Sequence, residues 1–228
     1  MSSPRRAWRR TGARALATVA AVAVYVVQTG CFRGTLPPRE FYRLAPVDSA
    51  VTTPPATAAA PLTGTIAILA YETPGIYGDG SLVYRVGATG YGKYPSREWA
   101  IPLADMLATR TETIAGGRVL TSGRVAFDRS AAQPGEYEWR GVVREFDEVD
   151  GPTSVSTSVS LAARLIRVAD DSVVWSGAAH EVELVAESRN IDSVVAALSA
   201  ATSRALTRLV DDAAAALRRV AAARAQER

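Results

Sequence analysis

Ser154-Val155-Ser156-Thr157-Ser158-Val159-Ser160-Leu161-Ala162-Ala163-Arg164-Leu165 is the stretch on which the reading of the fold turns. Val155, Val159, Leu161, Ala163 and Leu165 fall on alternate positions, with Ser154, Ser156, Ser158, Ser160 and Arg164 between them. Period two is the repeat of a strand, whose successive side chains point to opposite faces. The stretch therefore reads as a half-buried strand with a hydroxyl-lined face toward water. The segment before it repeats the pattern. Tyr137, Trp139, Gly141 and Val143 alternate with Glu136, Glu138, Arg140 and Val142, and Phe146 breaks the phase, as at a bulge or a strand end. Asp170-Asp171 supplies a turn and Val173-Val174-Trp175 begins a return strand. Together these segments predict an antiparallel meander.

Working toward the N-terminus, Thr65–Ala70 is a short apolar run of the kind that makes a central, doubly covered strand. A turn at Gly78-Asp79-Gly80 leads to a second strand, Leu82–Val86. A Gly/Tyr-rich loop, Gly87–Tyr94, precedes Trp99. Pro102 suits the first turn of a helix. Leu103, Met106, Leu107 and Ile114 give that helix an apolar side, Gly116-Gly117 ends it, and Val119-Leu120 starts a further short strand. Toward the C-terminus, Asn190 or Asp192 caps a long helix. Its apolar positions, from Ile191, Val194, Val195 and Leu198 to Ala213 and Leu217, recur at three- and four-residue steps. Lacking bulky aromatic anchors and a basic polar face, that stripe reads as packed on the sheet, not laid on a membrane. The expected fold is α/β: a mixed sheet with an antiparallel meander, covered by two helices as a sandwich.

The first 31 residues carry a different signal. Arg5, Arg6, Arg9, Arg10 and Arg14 precede an uncharged stretch, Ala15–Gly30, with its apolar heart at Ala15–Val27, and Thr29-Gly30-Cys31 follows. A basic, then apolar, then small-residue order is that of a secretory leader. With cysteine next, it resembles a bacterial lipoprotein signal, which implies lipid attachment at Cys31, the only cysteine. Gln28 departs from that pattern, since an aliphatic residue is usual there. The competing reading is an uncleaved anchor, but the strongly apolar part is shorter than the roughly 20 residues a bilayer core requires. The expected organisation is a signal peptide over 1–30, a tether with an early extended segment (Phe41-Tyr42-Arg43-Leu44) over 31–62, a domain over 63–220 and a polar tail over 221–228. Residues 45–62 are rich in Pro, Ala and Thr.

Charge and composition exclude several functions. The 228 residues hold 26 basic and 23 acidic side chains; without the leader's five arginines, 21 basic residues face the 23 acidic ones. No basic run remains for nucleic acid. His180 is the sole histidine, which excludes a multi-histidine metal site. It reads as an ordinary strand-surface residue, although strand pairing would bring it toward the serines at 154–160. No Gly-x-Ser-x-Gly elbow supports a hydrolase, and Gly87–Gly92 lacks the Gly-Lys-Ser/Thr of a phosphate loop. Asp147, Glu148 and Asp150 read as a solvated acidic turn. The expectation is a protein that is not an enzyme and needs no cofactor. Aromatics favour interfaces, so Tyr91 and Tyr94 are the candidate docking surface.

The order of these segments is similar to the ABC-type transport auxiliary lipoproteins. Cys31 followed by Tyr42-Arg43-Leu44 matches the family's start. Ile66-Ala67-Ile68, Leu82-Val83-Tyr84-Arg85 and Trp99-Ala100-Ile101-Pro102-Leu103 resemble its central pattern, and Arg144–Asp147, Ala162–Leu165 and Val174–Gly177 keep its strand order. The positions carrying the resemblance are Tyr42, Leu44, Tyr84, Arg85, Trp99, Phe146 and Trp175, expected to be structural. The long insert before Ile66 is a departure. The resemblance implies an accessory subunit of an envelope transporter of lipids or other hydrophobic cargo. Implied partners are an MCE-domain protein, an ABC permease and ATPase, and further copies of the chain in a ring. The implied location is the outer membrane, facing the periplasm. Two other readings stay open: a stand-alone tethered envelope binding module for lipid or cell-wall components, and an envelope hydrolase.

Overall fold

The computed structural model describes residues 38–47, 65–118, 136–187 and 190–226. Cys31, the leader, most of the Pro/Ala/Thr stretch and the expected strand at Val119-Leu120 lie outside the described residues. The chain divides into two compact units, residues 1–38 and 39–228, and every strand and helix among the described residues belongs to the second.

Seven strands form one mixed sheet among the described residues, in the order β1-β4-β3-β5-β6-β7, with β2 off this path on β5. They are β1 (Glu40–Tyr42), β2 (Ile66–Ile68), β3 (Ser81–Val86), β4 (Gly90–Trp99), β5 (Tyr137–Asp150), β6 (Val155–Arg167) and β7 (Ser172–Leu184). Two helices complete the unit, α1 (Leu103–Arg118) and α2 (Ile191–Gln226). The meander is β5-β6-β7, antiparallel as the period-two pattern requires. Strand β5 organises the rest. One of its edges pairs with β6 along its length, from Tyr137 opposite Arg167 to Asp150 opposite Val155. The other is shared: β2 runs parallel to its start, Glu72 bridges to Val142, and β3 runs parallel to its end.

Both helices contribute to one core. Trp139, Val143 and Phe146 of β5 and Val159, Leu161 and Leu165 of β6 bury their side chains with Leu107 and Ile114 of α1 and Leu198, Leu206 and Leu209 of α2. Trp139 is fully buried, stacks on Trp175 at 5.5 Å and donates from its indole to the Tyr71 hydroxyl at 3.1 Å. Helix α2 begins where the Asn190 side chain accepts from the Asp192 amide at 3.0 Å, which satisfies one orphan donor of its first turn. Arg110 of α1 donates to the Ser199 carbonyl of α2 at 3.4 Å and to the Ala45 carbonyl, while Ser199 Oγ accepts from the Ala45 amide at 2.9 Å. The segment after β1 is thereby clamped to both helices.

Several expectations change. The Thr65–Ala70 run forms only a three-residue strand with Ile66 and Ile68 buried, and Leu69 is exposed. It pairs with β5 alone; Tyr71 then packs its ring on Gly141, and Glu72 rejoins β5 at Val142. The expected Gly87–Tyr94 loop is mostly strand: after a turn at Gly87–Thr89, Gly90 onward pairs back on β3, and a left-handed φ of 65° at Gly87 closes the hairpin. Helix α1 runs through Gly116-Gly117 to Arg118, and α2 runs through the expected tail to Gln226. Asp147, Glu148 and Asp150 form no turn; they are the last residues of β5. Finally, β1 is hydrogen-bonded into the sheet beside β4. The Pro/Ala/Thr stretch therefore joins two parts of one unit, and residues 32–38 alone separate Cys31 from it.

Candidate functional site

A bulge in β5 creates the polar site. Val143 pairs with Leu161 and Phe146 with Val159, both pairs facing the helices, yet Arg144 and Glu145 together occupy the single step between them. Two residues against one is the geometry of a bulge. It places Glu145 and then Asp147 on the face of the sheet away from the helices. There Ser158 Oγ donates to Glu145 Oε2 at 2.6 Å and lies 3.0 Å from His180 Nε2. Arg85 of β3 reaches Glu145 at 3.4 Å and Asp147 Oδ2 at 3.0 Å, and the Tyr77 hydroxyl donates to Asp147 Oδ1 at 2.9 Å. The Arg85–Asp147 contact is an ion pair off hydrogen-bond alignment. Tyr91 covers the Arg85 guanidinium at 5.9 Å, a cation–π contact.

Asp147 is fully buried. Burial pushes its carboxyl above the ordinary range, against the pull of the Tyr77 hydroxyl and the Arg85 charge. Burial works against the Arg85 charge too, but Asp147 and Glu145 outweigh it and its pKa is raised. Burial, and then the Asp147 charge, also raise the Tyr77 hydroxyl.

The opposite face carries a second site. Six residues of β4, Lys93 to Glu98, face three of β3, Ser81 to Val83. Pro95 has no amide to give the ladder, and Ser96 takes a left-handed φ of 62°. This irregularity turns Tyr94 and Arg97 toward the start of α2. The Tyr94 hydroxyl donates to Glu148 Oε2 at 2.5 Å, Arg97 lies over the Tyr94 ring at 5.3 Å, and Tyr84 meets that ring edge-on at 5.1 Å. Burial raises the carboxyl of Glu148 and the hydroxyl of Tyr94. The group borders a cleft of about 510 Å³ that also takes in Asp150, Thr153, Ser154, Asn190 and Ile191.

Tyr91 and Tyr94, expected together as one docking loop, thus lie on one strand with different surroundings. Tyr91 is 48% exposed beside Arg85, whereas Tyr94 is half-buried in the cleft wall. The positions that carried the resemblance fill packing roles. Tyr42 donates to Glu40 at 2.7 Å, and burial followed by that bond pushes its pKa up to about 12. Leu44 packs on the core. Trp99 meets Phe146 edge-on at 5.9 Å, and Trp175 stacks on Trp139. Arg85 alone among them joins the polar site. Cys31 lies outside the described residues.

Strand pairing does bring His180 to the serine face. The contact does not have the order of a nucleophilic triad, however. In a nucleophilic triad the acid holds the histidine's far nitrogen; here Glu145 and His180 converge on the same hydroxyl, with Glu145 Oε2 3.8 Å from His180 Nε2. Ser158 is itself 2% exposed, which denies its oxygen to a substrate. Among the described residues no group of three or more His, Cys, Asp or Glu side chains is placed to hold a metal ion. The buried acids were the part that sequence reasoning missed. A phase break at Phe146 signalled the bulge, but three acids in four residues looked like solvated charge, as Asp150 is; only Tyr77, Arg85 and Tyr94, brought from elsewhere, explain the burial of Asp147 and Glu148.

A mixed, β5-centred sheet with two helices on one face defines the class of fold, and solved structures share it. The protein XCC0632 from Xanthomonas campestris, described under the family model DUF330, has a similar structure, with a TM-score of 0.59 at 22% identity over 69% of this chain and 87% of that one. An uncharacterized protein is similar at TM-score 0.53 and 13% identity, over 77% of this chain and 98% of that one. These likenesses show a shared fold. Lipoprotein GNA1162 from Neisseria meningitidis overlaps at TM-score 0.27 and 17% identity, over 57% of this chain and 89% of that one, too slightly to carry an argument. No family model matches the chain, and no curated protein matches it significantly.

Proposed function

We propose that the protein is a lipid-anchored, noncatalytic accessory subunit of an ABC (MCE-type) envelope transporter of lipids or other hydrophobic cargo. It is held at Cys31 on the outer membrane, faces the periplasm, and docks as single copies or as a ring on the membrane-bridging component. The observation that carries this reading is the leader ending in Thr29-Gly30-Cys31, seven residues ahead of a compact unit whose one serine–histidine contact lacks nucleophile geometry. Tethering a domain to a membrane raises its effective concentration for a partner in the same plane. The exposed Tyr91 beside Arg85 is the docking residue this reading favours.

In-cell crosslinking of the tagged full chain, followed by mass spectrometry, tests it. Capture of an MCE-domain protein or an ABC permease, lost with Cys31→Ala, is the expected result. Capture of no transporter component by protein shown to be acylated and folded would overturn it and favour a stand-alone tethered binding module.

A further inference from the structure

The face of the sheet away from the helices holds a hollow of about 600 Å³ beside, and separate from, the Arg85 network. Small residues of β6 and β7, Ala162, Ser176, Gly177 and Ala178, line it together with Val142 and Ile166. Its rim carries three arginines, Arg140, Arg144 and Arg164, with Glu72 as the single acid lining it. Arg140 and Arg164 are direct cross-strand partners on β5 and β6. Like charges placed opposite one another destabilise a sheet. Arg144, four residues after Arg140 on β5, falls on the same face by alternation and brings a third guanidinium to it. Glu138 engages Arg140 at 2.6 Å. Arg144 and Arg164 are exposed, and among the described residues neither has a carboxylate partner.

Two unpaired guanidiniums at the rim of one hollow fit an anion that accepts from both. Arginine's planar fork matches phosphate oxygens bidentately. An acylated Cys31 would hold the folded unit close to a membrane surface, which is a source of such groups. Eight residue steps join Cys31 to Arg39, the start of the folded unit, a span of at most about 29 Å when fully extended. We infer that this hollow binds the phosphate headgroups of anionic phospholipids in the membrane that anchors the chain. The inference rests on the lipid-anchored reading above. It adds an electrostatic attachment to the lipid anchor.

The test uses the full chain, expressed with its leader, purified in dodecyl maltoside and presented with phosphatidylglycerol or phosphatidylcholine in the same micelles. Native mass spectrometry reads the bound lipid, and the intact mass reads acylation at Cys31 independently. Phosphatidylglycerol should be retained over phosphatidylcholine, and Arg144→Glu/Arg164→Glu should cut that retention about tenfold or more. Arg39→Glu/Arg224→Glu makes the same change in net charge elsewhere and should leave it intact. The uncharged pair Arg144→Gln/Arg164→Gln, checked for folding by circular dichroism, guards against a loss caused by misfolding and should also lose the lipid. Equal retention of both lipids, or unchanged retention in the Gln pair, overturns the inference. So does full displacement by inorganic phosphate, which would make free phosphate the occupant. Phosphatidylglycerol bound by a chain whose mass shows no acylation would sustain the hollow and overturn the lipid-anchored reading instead.

Discussion

Arg85 is the residue on which the outer-face network depends. Its side chain is 19% exposed and neutralises Asp147, which is fully buried, together with Glu145. Removing one partner of such a pair strands the other charge where water cannot reach it. Arg85→Met should therefore cost about 3–5 kcal/mol in urea unfolding, whereas Arg208→Met, which removes an exposed partner from Glu181 and leaves it Arg204, should cost under about 1 kcal/mol. Comparable losses would mean that Asp147 is not charged in the fold. Asp147 also gives a pH signature of definite sign. Its carboxyl is raised by burial, so the folded chain takes up this proton before the unfolded chain does. The contribution of the group to stability then rises as pH falls through the raised value toward the ordinary carboxylate range near about 4, and levels off below it. Wild type should gain on Asp147→Asn as unfolding is measured from neutral pH down to that range. A difference that stays constant, or shrinks on acidification, would contradict the raised value.

At the scale of the element, β5 decides the architecture, since β2, Glu72, β3 and β6 all pair with it. Its most constrained position is Gly141. A Cβ there would lie 2.2 Å from the ring of Tyr71, which is itself buried and bonded through its hydroxyl to Thr111 at 2.8 Å and to Trp139. Gly141→Ala must displace that ring, and overpacking of this kind should cost about 1–3 kcal/mol. Thermal melting checks it; a melting temperature unchanged by the substitution would show that Tyr71 has room to move. The meander was legible because β5, β6 and β7 each keep one face in the core, and that stamps period two on the sequence. The bulge was legible for the same reason, as a phase break at Phe146. β4 was not: Gly90, Gly92, Pro95 and the left-handed Ser96 are turn residues locally, and pairing with β3 overrides them. Nor was the burial of Asp147 and Glu148, because the donors that make it tolerable come from residues 77, 85 and 94. Alternation reveals which side a residue takes, but not which distant side chain meets it there.

For the molecule as a unit, the two faces of the sheet divide stability from recognition. The helix side holds the continuous apolar core, while the other side gathers charge without full neutralisation, most plainly where Arg140 faces Arg164. If that pair were there only to hold the sheet, it would be an error of design: a carboxylate in place of either arginine would serve the fold better. The prediction is therefore an opposition between two measurements on one variant. Arg164→Glu replaces a like-charge cross-strand pair with an opposite one, so it should raise stability by about 0.2–1 kcal/mol. The same variant should lose anionic lipid. Helix-side truncation behaves in the reverse sense. Leu209→Ala removes a fully buried side chain of α2 and should cost about 2–5 kcal/mol, yet the folded fraction should hold phosphatidylglycerol as wild type does. If Arg164→Glu proved destabilising, the arginine would be contributing to the fold, and its place at the hollow would need no ligand to explain it.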